Sequence, residues 1–494
     1  MPQYLLAIDQ GTTNSRAIIF TREGKPASQH ELSLKQYYPH SGWVEQDPEE
    51  IWQNTLICCR EAMKQINLLA KDIAAIGISN QRETTVIWNR KTGKPIYPAI
   101  VWQDRRTSDL CKKLAQHKVN SQLTAKTGLL LDPYFSATKI MWLLEHVPGA
   151  REQAEKGDLA FGTLDTFLLW RLTQGKSHIT DATNASRTLL FNIHTQQWDS
   201  EILAAFNIPS ALLPTVLDNS AQFGETSKEH FGQPISITGM AGDQQAATVG
   251  QACFHPGMVK TTYGTGGFML LNTGTKAIQS KNQLLATIAY RLEGKPIYGL
   301  EGSFFSAGTT VKWLRDSLKL IKSAAETETL AASIPDTGNL YLVPGFTGLG
   351  APYWDPDARG AILGITRNSS IAEIVRAALE AVCYQTRDLL TAMHNDSDTL
   401  HEVMRVDGGM VTNKWLLQFL SDTLNIEVQR PACIETSALG AAFLAGLQIG
   451  IYQSLDEITE LWQANAHFMP VMPSETRERL YTGWQQAVAR VLTK

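Results

Sequence analysis

In the segment "LLAIDQGTTNSRAIIF", residues 5–20, an apolar run stops at Asp9, passes through Gly11, Thr12, Thr13 and Asn14, and then resumes. Glycine lets the backbone approach a ligand closely, and short polar side chains add donors beside the N–H groups of a tight turn. Such a nest suits phosphate oxygens. Asp9, at the end of a strand, is placed to hold Mg2+ through water, because that ion sheds its hydration reluctantly. Arg16 adds a positive charge nearby. A plain hairpin whose Asp and Thr cap their own turn accounts for the same residues. A second stretch, "YGTGGF", sets Gly264, Thr265, Gly266 and Gly267 in the same kind of turn. Two such turns facing one another would grip a polyphosphate from both sides.

A carboxylate stands in "ISITGMAGDQQAATVG", where a strand over Ile235–Thr238 is expected to lead through a Gly-flanked turn to Asp243 and Gln244 at a helix start. There Asp243 is either a helix N-cap or a general base that accepts a hydroxyl proton during phosphoryl transfer. Arg82-Glu83 in "NQRETT" and Tyr134 in "LDPYFSATKIMWLLEH" are polar groups that could bind the hydroxyl compound. An Arg-Glu pair taken alone is usually a solvated ion pair. A third glycine site is Asp407-Gly408-Gly409, where backbone before a helix can carry a flat ring or a phosphate, although taken alone a plain βα turn needing φ > 0 accounts for it better; Thr412 is the expected cap of that helix. No GxxxxGK[ST] loop, no GxGxxG opening a helix and no protein-kinase Lys-plus-HRD set occurs, which leaves a hairpin-built nucleotide site.

The elements that must position these residues alternate as strand and helix. Leu5–Ile8 and Ala17–Phe20 read as paired strands. Asp47, Pro48, Glu49 and Glu50 mark a helix start, and Trp52, Leu56, Cys59, Met63 and Ile66 follow at helical spacing. "IAAIGIS", residues 73–79, is a continuous apolar run of the kind buried on both faces of a sheet, with short strands after it at "TVIW" and "AIVW". Near residue 250 the opening theme returns in "GMVKTTYGTGGFMLLNTG". Two α/β domains on one plan, with a cleft between them, account for the repetition; ordinary Gly-rich hairpins are the simpler alternative.

At 494 residues the chain is long for one core, and its 43% hydrophobic and 8% aromatic content are ordinary for a globular protein. A net charge of −4 without long runs of one sign gives no reason to expect nucleic acid or an anionic membrane as partner. The six cysteines, Cys58, Cys59, Cys111, Cys253, Cys383 and Cys433, form no CxxC pair. They predict neither a disulfide framework nor a zinc site, and they fit a reducing cytoplasm. Asp9 and the hydroxyls around it interrupt any secretory leader, and "LGAAFLAGLQIGIY" is too short to span a bilayer, so no membrane insertion is expected.

Taken together, the motifs resemble the FGGY carbohydrate kinases over essentially the whole chain. "YFSATKIMWLLEH", 134–146, is similar to one family signature and "GAILGITRNSSIAEIVRAALE", 360–380, to the other. "DQGTTNSR", "SNQRETT", "GMAGDQQAA", "YGTGGFML" and "VDGGMVTN" are similar, in the same order, to segments of the members that phosphorylate glycerol. The resemblance implies two actin-like (ribonuclease H-like) domains flanking a central cleft. Residues 1–247 would carry the polyol site and first phosphate hairpin, and 248–494 the second hairpin and an adenosine-binding segment.

The implied activity is ATP-dependent, Mg2+-assisted conversion of glycerol to sn-glycerol 3-phosphate. Asp243 would be the base. Arg82, Glu83, Tyr134, Asp243 and Gln244 would hydrogen-bond the hydroxyls, with Trp102 and Phe268 against the carbons. Thr12, Thr13, Asn14, Arg16, Thr265, Gly308, Lys312, Gly409 and Asn413 would bind nucleotide, and Asp9 would organise Mg2+. Asn14 stands where the family more often has serine, and Lys312 where it commonly has glutamine. A homo-oligomer, dimer or tetramer, is implied. "EHFG" is similar to a loop whose histidine is phosphorylated by phosphocarrier proteins in some relatives, which makes His230 a candidate; an exposed loop histidine is otherwise ordinary. "SKEHFGQPISI" lacks the Gly-Gly-Thr-Arg loop that serves fructose 1,6-bisphosphate in enterobacterial relatives. The alternatives are a related kinase of a pentulose or gluconate, and a non-catalytic actin-like ATP switch.

Overall fold

The computed structural model describes residues 3–116, 120–397 and 402–493. Tyr4–Gln10 (β1) and Asn14–Thr21 (β2) form the expected hairpin, with Asp9 opposite Arg16. Pro26–Ser33 (β3) extends it, Ile73–Asn80 (β4) lies parallel to β1 on its other side, and Ser220–Glu225 (β5) and Ser236–Gly242 (β6) complete a sheet of order β5-β6-β4-β1-β2-β3. Leu6, Ile8, Ile76 and Ile78 point to one face, where Pro48–Gln65 (α1) covers them with Ile51, Trp52, Leu56, Cys59 and Met63. The period of two sends Leu5, Ala7 and Ala75 to the other face. Asp47 caps α1, accepting a bond from the Glu49 N–H at 2.9 Å.

The second sheet repeats this plan. Val259–Tyr263 (β7) and Gly267–Gly274 (β8) make the second hairpin; Leu285–Leu292 (β9) and Lys295–Phe304 (β10) extend it. Val403–Asp407 (β11) runs parallel to β7, followed by Glu427–Pro431 (β12) and Ala464–Phe468 (β13), in the order β9-β10-β8-β7-β11-β12-β13. In each sheet a run of antiparallel strands is joined, through its first strand, to two successive parallel strands and an antiparallel edge. The helices Ile371–Ser397 and Ser474–Ala489 cover this sheet through Val375, Tyr384, Trp484 and Val488.

Four helices matter for the site: Ser136–His146 (α2), Asp243–Gly250 (α3), the long Ile371–Ser397 (α4) and Lys414–Leu424 (α5). Thr436–Gln448 (α6) joins the halves, and Ser474–Ala489 (α7) closes the chain. From the second half, α6 crosses back onto the Leu5, Ala7 and Ala75 face of the first sheet and onto α3. The approach leaves no room for side chains. A Cβ on Gly77 would stand 2.0 Å from the Ala441 carbonyl oxygen, and one on Gly239 2.4 Å from the Ala445 nitrogen. On α3, Gly440 comes so close that a Cβ would lie 1.8 Å from the Ala246 oxygen.

Two expectations change. The strand expected over 235–238 continues to Gly242 and passes into α3 without a turn. Gly239 serves the close passage of α6, and Gly239–Gly242 pair with Gly77–Asn80 in the sheet. The cap of α5 is Asn413, whose Oδ1 accepts the Leu416 N–H at 2.9 Å; Thr412 belongs to a 3-10 turn, and its hydroxyl donates to Gly409 instead.

Candidate active site

The first phosphate-type turn lies between β1 and β2. Its carbonyls are occupied: Gln81 Nε2 donates to Gly11 at 3.2 Å, and Gln46 and Gln36 donate to Thr12 at 2.6 and 3.3 Å. The N–H groups of Gly11, Thr12 and Thr13 donate to nothing among the described residues. A turn with its acceptors tied inward and its donors free is suited to an anion. Asn14 reaches Glu31 from the same turn at 3.2 Å.

The second turn is held from behind. Gly308 N–H donates to the Gly264 carbonyl at 2.9 Å, and Ala307 and Thr309 donate to Thr265 at 3.0 and 3.1 Å. A Cβ on Gly308 would stand 2.6 Å from that Gly264 oxygen. Gly408, at φ +91°, packs on the backbone of Tyr263, where a Cβ would meet its oxygen at 2.5 Å. Thr265, Gly308 and the Gly409–Asn413 segment are thereby gathered at one end of β7 and β11. The Asn413 carboxamide is engaged with Leu416 and, at 3.2 Å, with Thr327. Lys312, at the end of a short helix, is exposed and forms no ion pair among the described residues.

Trp102 links the two turns. Its Nε1 donates to Thr12 Oγ1 at 2.9 Å, and its ring meets Phe268, the residue after Gly267, edge-on at 6.0 Å between centroids. Tyr134 closes the third side at 5.6 Å from Trp102. Three rings thus form an apolar corner from both halves of the chain.

Beside that corner stands a buried set of charges. Arg82 Nε lies 3.2 Å from Asp243 Oδ1; Nη2 donates to Glu301 at 3.0 Å, and Nη1 to the other Glu301 oxygen and to Gln245 at 3.2 Å. Arg187 Nε donates to Glu83 at 2.7 Å and Nη2 to Glu301 at 3.1 Å. Far from being solvated, the Arg82 side chain is 2% exposed and that of Glu83 1%. Asp243 is the open member, at 31%. It is the first residue of α3, after Gly242, so it is not the N-cap. Glu83 adopts φ +62°, a left-handed conformation uncommon for a side-chain-bearing residue, and its carbonyl accepts from Ser136 at 2.9 Å and Thr85 at 3.1 Å.

Burial sets the titration of this group. It raises the Asp243 carboxyl above the ordinary range, with Arg82 and Lys260 opposing, and raises Glu83 against the pull of Arg187 and Arg82. Burial would raise Glu301 too, but Arg187 and Arg82 outweigh it and hold the carboxyl at about 2. Tyr134 is pushed well up by burial. Lys260, pulled down by burial, donates from β7 to Gln244 at 2.7 Å and to Thr262 at 3.0 Å.

Asp9 pairs with Arg16 at 2.9 Å, and Arg16 also reaches Glu435 at 2.7 Å. Among the described residues no group of three His, Cys, Asp or Glu could hold a metal ion. Asp9, which shares Arg16 with Glu435 and stands beside a donor-rich turn, fits Mg2+ carried mainly by phosphate oxygens and water. His230 is half-buried on the short helix Lys228–Phe231, edge-on to Trp52 at 5.1 Å, with Nε2 3.2 Å from the Arg171 carbonyl oxygen.

Arg187, Gln245, Lys260 and Glu301 are site residues that sequence reasoning missed. The available signal was a charge inside an apolar strand, Lys260 in "GMVKTTY" and Glu301 in "IYGLEGSFF".

The model for the N-terminal domain of the FGGY family of carbohydrate kinases matches residues 4–250, and that for its C-terminal domain matches 259–449. A protein named glycerol kinase from Coxiella burnetii (strain Dugway 5J108-111) is 61% identical over 494 residues, 100% of this chain and 98% of its own. Glycerol kinase 1 of Pseudomonas aeruginosa is 59% identical over 491 residues, 99% of each chain. The crystal structure of Plasmodium falciparum glycerol kinase with ADP superposes with a TM-score of 0.91 at 38% identity, covering 99% of this chain and 98% of that one. With both family domains matched in order over a shared two-sheet architecture, the chain belongs to the FGGY family of carbohydrate kinases.

Proposed function

We propose that this chain transfers the γ-phosphoryl group of ATP to a terminal hydroxyl of glycerol, giving sn-glycerol 3-phosphate and ADP. The observation that carries the reading is the position of Asp243, partly exposed beside the aromatic corner and 3.2 Å from buried Arg82. The triol would lay its C–H edge on Trp102 and Phe268 and present its oxygens to Arg82, Glu83, Tyr134, Gln244 and Asp243. Asp243 takes the proton of the attacking hydroxyl as the new O–P bond forms and the bond to the β-phosphate oxygen breaks. Burial raises the proton affinity of that carboxylate, which makes it a stronger base. Thr12, Thr13, Asn14 and Thr265 would hold the phosphates, Arg16 adding positive charge, and Gly308, Gly409, Asn413 and Lys312 would line the adenosine side. Mg2+, when bound, neutralises phosphate charge, and Asp9 would hold it through water. With both turns and the aromatic corner closed over the substrates, water is excluded from the transfer.

Coupled ADP release with glycerol, dihydroxyacetone, xylulose, gluconate or no acceptor tests the reading. Glycerol is expected to give the highest kcat/KM. Preference for xylulose or gluconate would indicate a related sugar kinase, and turnover indifferent to acceptor an ATP switch.

The same reading assigns polyol capture to 1–247 and the adenosine segment to 248–494, and places the protein in the cytoplasm as a dimer or tetramer, which light scattering would measure. It also keeps His230 as a phosphoacceptor for a phosphocarrier protein, provided Nε2 leaves the Arg171 carbonyl. Incubation with the phosphorylated carrier and mass mapping decides this, and an unmodified His230 ends it.

A further inference from the structure

We propose that Arg187 and Glu301 are positioning residues for polyol capture and work as one unit. The inference rests on the function proposed above. Arg82 has little freedom left: both Nη1 hydrogens are committed, to Glu301 and Gln245, and one Nη2 hydrogen bonds the second Glu301 oxygen. What remains for a substrate hydroxyl is the other Nη2 hydrogen and the Nε hydrogen beside it, which lies on the side of Asp243 at 3.2 Å; the direction of both is fixed by the bidentate grip of Glu301. Glu301 is therefore the group that aims Arg82.

Arg187 does the same for the other side of the pocket. Its Nε bonds one oxygen of Glu83, and its guanidinium carbon lies 5.5 Å from the centre of the Tyr134 ring and 5.3 Å from that of Phe135. Its Nη2 returns to Glu301. Both side chains are 0% exposed, so neither touches the substrate; each acts through a residue that would. Burial makes the pair interdependent, because removing either charge leaves the other desolvated without a partner. Glu301 also comes from the second sheet, on β10, where Ser303 is paired with Phe268 and the chain runs on to Gly308. The carboxylate that aims Arg82 is thus supplied by the half that carries the second phosphate turn.

The test measures KM for glycerol, KM for ATP and the melting curve for Arg187→Met, Glu301→Gln and the double variant. Each single variant is expected to raise KM for glycerol more than threefold while KM for ATP stays within twofold. The double variant is expected to raise KM for glycerol by less than the product of the two single effects. A threefold or smaller rise in either single, an equal rise in both KM values, or a double effect equal to or above the product overturns the proposal. Should the neutral variants fail to melt cooperatively, Arg187→Lys and Glu301→Asp keep the charge but displace it. They must then show the same glycerol-selective rise, and a wild-type KM for glycerol in either overturns the proposal. Wild-type protein without glycerol-dependent ADP release would instead remove the functional reading itself.

Discussion

Proton affinity governs the chemistry at the residue scale. Asp243 must be charged to accept a proton, and burial opposes that charge while Arg82 and Lys260 favour it. With Asp243 as the proposed base, the acid limb of kcat/KM for glycerol is therefore expected above the ordinary carboxylate range. Lys260→Met removes one of the two favouring cations, and the limb is expected to move to still higher pH in a pH-rate profile. An unmoved limb would show that Lys260 does not act on Asp243. Asp243→Asn keeps the shape and removes the base; a drop in kcat of about 10²–10⁴-fold is expected, with ATP binding by calorimetry retained. Asp243 and Arg82-Glu83 were legible because polar residues after strand ends are conspicuous in sequence, whereas Tyr134, in the loop before α2, stood out through the family signature it opens. Arg187 and Glu301 were not, since they become site residues only when folding brings together positions 104 and 219 apart from Glu83 and Arg82.

At the scale of elements, local pattern and tertiary demand diverge. The hairpin of β1 and β2 and the helix α1 carry their own signals, apolar runs broken by a turn and a capped amphipathic repeat, and both were readable. The end of β6 was not, because Gly239 and Gly242 look like turn residues until α6 is seen to lie against the first and the Arg82 side chain against the second. Gly440→Ala drives a methyl into the backbone of Ala246, which no rotamer change relieves. A loss of about 1–3 kcal/mol or more in urea denaturation is expected, with activity falling because α3 carries Asp243. On the far face, Asp388 in α4 accepts from Tyr481 at 2.6 Å and Trp484 at 2.8 Å in α7, and burial pushes its carboxyl up to about 6. The folded state then keeps a proton that the unfolded chain, with an ordinary value of about 3.9, releases, so this group's contribution falls as pH rises between roughly 4 and 6. In melting curves, the stability of the wild type relative to Asp388→Asn is expected to shrink across that interval; a constant difference would count against the assignment.

For the molecule as a whole, the decisive feature is that the polyol pocket proposed above draws side chains from both halves and touches the proposed nucleotide turn. Phe268 and Glu301 come from the second sheet to a pocket otherwise built on the first, and Trp102 of that pocket bonds the Thr12 hydroxyl of the nucleotide turn. Each ligand should therefore favour the closed form that the other needs. Glycerol and a non-hydrolysable ATP analogue together are expected to raise the melting temperature by more than the sum of their separate effects. Simple additivity would indicate pockets that fill independently. Among the described residues no helix is long and apolar enough to cross a membrane.

The bare glycine joint between α6 and the first sheet has a further consequence, for recombination. Chimaeras that exchange halves with a distant relative should assemble only when both parents are small at positions 77, 239, 250 and 440. One bulky residue there would leave two well-folded lobes that cannot dock, whatever the match between their substrate pockets.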